Sequence, residues 1–114
     1  MLELLGGPTS TCCGKVHLTA LEKGQEVFAR EVNTHKHQNL TDEYIKLNRD
    51  GMIPTLIHDG LVLVESSVIM RYIDRCFPEP SLTPSEPLES MRRDLLMKDL
   101  DERYHSAIAF LSFS

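Results

Sequence analysis

Asp59-Gly60 stands between two short apolar runs, Pro54–His58 and Leu61–Val64. Both residues tolerate positive φ, which a two-residue primed turn demands, so this segment is predicted to be a β-hairpin. A hairpin has to belong to a sheet, and the rest of the chain is read for the strands that complete it. Directly after the second run, Glu65-Ser66-Ser67 offers a helix start. Val68, Ile69, Tyr72 and Ile73 then fall at helical spacing, predicting a helix over about 66–76.

Upstream, strand and helix signals alternate. Leu2–Leu5 is a short apolar run stopped by Gly6-Gly7-Pro8 and reads as a buried strand. Thr9-Ser10-Thr11 supplies caps, Val16, Leu18, Ala20 and Leu21 give a helical pattern, and Gly24 suits a C-terminal stop. A helix over about 12–23 follows. Val27–Val32 is strand-like, and Thr41–Leu47, behind a Thr41/Asp42 cap, reads as a short helix holding Tyr44, Ile45 and Leu47. The order is β-α-β-α-β-β-α. Two strands joined through a helix form a right-handed parallel unit, and the hairpin extends its sheet. The expected fold is an α/β sandwich of thioredoxin type.

Four of the six prolines lie between Phe77 and Pro87. Proline fixes φ and removes donors, so 78–86 reads as a linker between a domain over 1–77 and a tail over 87–114. In the tail Leu88, Met91, Leu95, Leu100, Tyr104, Ala107, Ile108 and Leu111 recur near helical spacing. A helix over 87–111 would be about 37 Å long. Its apolar side is wider than one contact needs. The chain is therefore expected either to be a piece of a larger protein or to pair with another subunit.

Composition excludes several classes. Twelve Lys and Arg against 17 Asp and Glu leave a net charge of −5, which argues against a nucleic-acid binder. No apolar run approaches the roughly 20 residues of a membrane span. Glu3 and Pro8 interrupt any signal-peptide core. The cysteine count, 3, is odd, and Cys12 and Cys13 are adjacent. That is no disulfide framework, and a reducing, cytoplasmic setting is expected. His35 and His37 lack a third partner at metal-ligand spacing, so no metal site is expected.

From Met1 onward the chain resembles the glutathione S-transferase family. The resemblance rests on Pro8-Thr9-Ser10-Thr11-Cys12-Cys13-Gly14-Lys15-Val16 and Leu21-Glu22-Lys23-Gly24. It continues through Tyr44-Ile45-Lys46-Leu47-Asn48, Gly51-Met52-Ile53-Pro54-Thr55-Leu56 and His58-Asp59-Gly60. Its strongest part is Val64-Glu65-Ser66-Ser67-Val68-Ile69, followed by Tyr72-Ile73-Asp74. Each piece alone is weak, while their order and spacing together are specific. The tail resembles the first helix of the family's all-helical second domain. No tyrosine precedes Tyr44, so the similarity is to the serine- or cysteine-type, bacterial-like classes.

The resemblance implies glutathione as cosubstrate, held as a thiolate. A free thiol has a pKa near 8.5, so such a site must favour the anion, and a helix N-terminus does so. It implies Ser10 as the hydroxyl that hydrogen-bonds the sulfur, with Cys12 as a rival able to form a mixed disulfide. Ile53-Pro54 is similar to the family's cis-proline turn, where the Ile53 backbone would pair with the cysteinyl unit like an added strand. The helix start at Ser66 would take the γ-glutamyl carboxylate, and Glu65 its ammonium. At the glycine end relatives often carry His or Lys. Here Asn39 and Leu40 occupy that frame, with Lys36, His37 and Gln38 as alternatives.

Three functions are carried forward. The first is a glutathione transferase that directs the thiolate at an electrophilic small molecule, as a homodimer. The second is a glutathione-dependent thiol oxidoreductase using Cys12, although no Cys-x-x-Cys spacing is present. The third is a non-catalytic truncated or interaction module.

Overall fold

The computed structural model describes residues 1–107. These fall into two compact units, Met1–Ser81 and one beginning at Leu82, a division that lies inside the proline-rich segment.

The first unit is built on a four-stranded sheet ordered β2-β1-β3-β4. Strand β1 (Leu2–Gly6) lies parallel to β2 (Val27–Glu31) and antiparallel to β3 (Thr55–His58). Strand β4 (Leu61–Val64) returns antiparallel to β3. The α/β order expected from sequence is the order observed. The hairpin closes with His58 opposite Leu61, and Asp59 and Gly60 take φ of 50° and 90°, the signs a type I′ turn requires.

Strand alternation divides the core in two. Leu2 and Leu4 of β1 and Leu56 of β3 face α1 (Thr11–Glu22) and α3 (Ser66–Cys76), meeting Val16, Ala20, Ile69 and Ile73. The opposite face carries Leu5, with Val32 and with Tyr44 from the short helix α2 (Asp42–Leu47). The helix faces differ in detail from the sequence reading. Leu18 and Leu21 of α1 and Val68 of α3 are exposed, while Cys13 and Thr19 are buried. Apolar character marked these positions, but which face meets the sheet is set by how the helices pack. Val32, expected inside the second strand, is buried just beyond it, its N–H donating to Gly6 O at 2.8 Å. Two 3-10 turns, Thr34–Lys36 and Gln38–Leu40, fill the segment between β2 and α2.

A buried ion pair closes the helical side. Lys23, the C-cap of α1, has its Nζ 2.7 Å from Asp74 Oδ1 of α3 and also donates to Pro80 O. The ammonium is fully removed from solvent, so it is paired and hydrogen-bonded as burial of a charge requires.

In the second unit α4 (Pro87–Asp99) starts with proline at its first position and a Glu86 carboxylate accepting from the N–H groups of Leu88 and Glu89. The helix expected over 87–111 is not a continuous α-helix. Leu100–Tyr104 forms a π-helical turn, helical structure resumes at 105–107, and the expected end lies outside the described residues. Leu88, Met91, Leu95, Leu100 and Tyr104 are all exposed, and Ile108 and Leu111 lie outside the described residues.

Candidate functional site

Strand direction decides which residues meet. β1 and β4 run the same way and β3 runs against them, so the end of β1, the start of β3 and the end of β4 share one edge of the sheet. Leu5 pairs with Thr55 and Thr55 with Val64. Gly6-Gly7, Ile53-Pro54 and Glu65-Ser66 therefore stand side by side, and α1 and α3 both begin there.

At the start of α1, Ser10 N–H donates to Gly7 O at 3.2 Å, folding Gly7-Pro8-Thr9-Ser10 into a turn. Ser10 is the N-cap, its Oγ accepting from Cys13 N–H at 3.3 Å. This cap uses an oxygen lone pair and leaves the hydroxyl proton for a second partner. Capping and donation to a ligand are thus compatible in one side chain. Cys12 is half-buried two residues on, and Cys13 is buried against Gly6. Cys12, Cys13 and Cys76 form no disulfide among the described residues.

At the start of β3 the Ile53–Pro54 peptide is cis. Ile53 packs its side chain toward Gly6 and Gly7 and among Leu5, Val32 and Tyr44. Its N–H has no hydrogen-bond partner among the described residues. Met52 is exposed and serves through its backbone carbonyl.

At the start of α3, Glu65 alone reverses the chain between strand and helix. It takes φ 72° and ψ 111°, a strained conformation for a residue with a Cβ, and makes no capping hydrogen bond with its side chain. Its carboxylate is exposed, beside the first N–H groups of the helix and half-buried Ser66.

Asn39 is tied elsewhere. Its Nδ2 donates to Gly51 O at 2.8 Å, and its buried Oδ1 has no partner among the described residues. Gln38 Oε1 accepts from Asn33 N–H, while Lys36 and His37 are exposed.

Sequence reasoning missed the groups that brace this loop. Tyr44 Oη lies 2.5 Å from Met52 O and 2.7 Å from Thr55 Oγ1. Asn48 Nδ2 lies 3.0 Å from Met52 O and 3.2 Å from Thr55 Oγ1. All three side chains are buried. Burial, the largest influence, pushes the Tyr44 phenol above its ordinary value, opposed by its hydrogen bond with Thr55. The signal was available. Tyr44 and Asn48 are four apart, so one helical face presents both polar ends.

Comparisons with known proteins find relatives of this chain. Residues 4–81 match the family described as "Glutathione S-transferase, N-terminal domain". The stringent starvation protein A homolog of Coxiella burnetii is 36% identical over 107 residues, covering 93% of this chain and 50% of that protein. Glutathione S-transferase 1 of Dianthus caryophyllus is 32% identical over 85 residues, covering 75% and 38%. Among solved structures, the beta-etherase LigF of Sphingobium sp. strain SYK-6 superposes with a TM-score of 0.89 at 31% identity, covering 96% of this chain and 46% of that one. The chain spans half or less of the curated relatives named here. No helix among the described residues is long and apolar enough to cross a membrane.

Proposed function

The chain belongs to the glutathione S-transferase family, and from that premise we propose that it binds glutathione along the shared edge of the sheet and holds its sulfur as a thiolate. The observation that carries the reading is the meeting of two helix starts with the backbone of Ile53 at one edge. Each end of the tripeptide then has a chemical counterpart. The first N–H groups of α3 and the Ser66 hydroxyl take the γ-glutamyl carboxylate, and the exposed Glu65 carboxylate takes the ammonium. Ile53 pairs its N–H and C=O with the cysteinyl unit beside Pro54.

The sulfur lies at the start of α1 in this reading. Unpaired N–H groups and the helix dipole favour the anion there, and the Ser10 proton donates to it. A thiolate so held attacks an electrophilic small molecule. A new C–S bond forms as the electrophile's leaving group departs with its electron pair, or as its double bond opens and takes a proton. Asn39 serves the glycine end indirectly, through the loop it ties to Gly51. We read residues 87–114 as the opening of an all-helical domain, the whole protein as a cytoplasmic homodimer, and the electrophile pocket as lying largely outside this chain. Cys12 carries the second reading, a thiol oxidoreductase, because it is half-buried on the first turn of the same helix.

Calorimetric titration of the purified chain with glutathione tests the site. Micromolar to millimolar binding is expected. Ser10→Ala should lower the thiolate absorbance of bound glutathione, with Cys12→Ala leaving it unchanged. The opposite pattern, with a Cys12–glutathione mixed disulfide in the mass spectrum, would favour the oxidoreductase. No binding by a folded sample would sink both and leave a scaffold that acts through assembly.

A further inference from the structure

We infer that Tyr44 and Asn48 are positioning residues that aim the Ile53 N–H at the ligand, by clamping the far side of the same peptide group. The inference deepens the proposed glutathione site and rests on that reading.

The hydrogen bonds can be assigned by counting protons. Tyr44 has one hydroxyl proton, and Met52 O, a carbonyl, can only accept, so the phenol donates to it. The contact between Tyr44 and Thr55 must then run the other way, with Thr55 Oγ1 donating to Tyr44 Oη. Asn48 Nδ2 carries two protons, one for Met52 O and one for Thr55 Oγ1. Every donor has an acceptor, and the four bonds form a closed ring. Tyr44 and Asn48 are 4% and 5% exposed and Thr55 is 0%, so water does not compete for these bonds. The Asn48 amide is itself oriented, its Oδ1 accepting from Asp50 N–H at 3.2 Å.

This ring fixes more than an oxygen. Met52 O and Ile53 N–H belong to one planar peptide unit, and the Met52–Ile53 bond is trans. In a trans peptide the C=O and N–H point in opposite directions. Two donors hold Met52 O inward, so Ile53 N–H is turned outward from the buried ring. It finds no partner among the described residues. An unpaired backbone donor beside the meeting point of two helix starts is what the cysteinyl carbonyl of glutathione requires. Asn39 extends the clamp one peptide upstream by holding Gly51 O.

The test uses the full chain, labelled with 15N and titrated with glutathione. In the wild type the Ile53 amide should exchange fast without ligand, then shift and become protected as glutathione is added. Tyr44→Phe should weaken binding about tenfold, the loss expected for one hydrogen bond and its misalignment, with the Ile53 amide no longer shifting. Tyr44→Phe leaves the Thr55 hydroxyl without its acceptor, so Tyr44→Phe/Thr55→Val provides a second variant of matched shape. It should show the same loss of affinity, with a dispersed amide spectrum showing that the sample is folded despite the Asn48 Nδ2 proton that loses Thr55 Oγ1. Unchanged affinity in both variants overturns the clamp while leaving the glutathione site standing. Protection of the Ile53 amide before ligand is added overturns it as well. A wild type that binds no glutathione, with Ile53 N–H exposed, removes the proposed site and this inference with it.

Discussion

Cys13 occupies the place a side chain on Gly6 would need: a Cβ built on Gly6 overlaps the Cys13 Sγ, with the Cys13 Cβ 3.4 Å away. The glycine is required by close approach of α1 to the end of β1, not by a positive φ. Gly6→Ala is expected to cost about 1–3 kcal/mol by overpacking. In a Cys13→Ala background the same change should cost much less. A double-mutant cycle from denaturant melts would measure this, and additive effects would contradict the packing described.

The Lys23–Asp74 pair joins α1 to α3, and the Lys23 ammonium also holds Pro80 O. Lys23→Met removes the buried cation from the Asp74 carboxylate and is expected to destabilise by about 3–5 kcal/mol. Lys23→Met/Asp74→Leu should recover much of that loss, because apolar packing replaces the pair. Urea midpoints of the two variants decide it. A single variant as stable as wild type would mean the pair is solvated in solution.

Glu65 joins β4 to α3 at φ 72° and ψ 111°. Such strain costs about 1–3 kcal/mol, part of which glycine recovers despite its greater chain entropy. Glu65→Gly should therefore raise stability by about 1 kcal/mol while weakening glutathione binding through loss of the carboxylate. Thermal melts and titration on the same sample check both halves. A destabilised variant would contradict the strain.

Alkaline stability follows from two phenols. Tyr44 is held above its usual value chiefly by burial, and Tyr72 is pushed up to about 12, chiefly by its hydrogen bond with Cys76 and then by burial. The folded chain thus keeps protons that the unfolded chain releases near pH 10. Their stabilising effect is complete below about pH 10 and is lost as pH rises through the folded values. Unfolding free energy should fall from pH 10 toward 12 in the wild type and fall less steeply in Tyr44→Phe. Equal slopes would remove Tyr44 from the account.

Local chemistry made much of the fold legible. Asp59-Gly60 dictated the hairpin because few residue pairs tolerate two positive φ angles in succession. Thr41 and Ser10 marked helix starts because their side chains accept from exposed N–H groups. Val68, Leu18 and Leu21 belong to the apolar helical patterns yet are exposed, since apolar character does not say which side a helix turns to the sheet. The π-helical turn at Leu100–Tyr104 has no propensity signature in those residues.

The sequence by itself determined the element order, the turn chemistry and the residue types able to meet an anion, a sulfur and a peptide backbone. These depend on neighbours a few positions apart. Only the tertiary structure decided that Ser10, Ile53 and Glu65 share one edge, because antiparallel pairing of β3 with both β1 and β4 brings those strand ends together. It alone made Tyr44 a buried donor to Met52 O. The hydroxyl's worth depends on a carbonyl eight residues away, and only the folded loop places that carbonyl within reach.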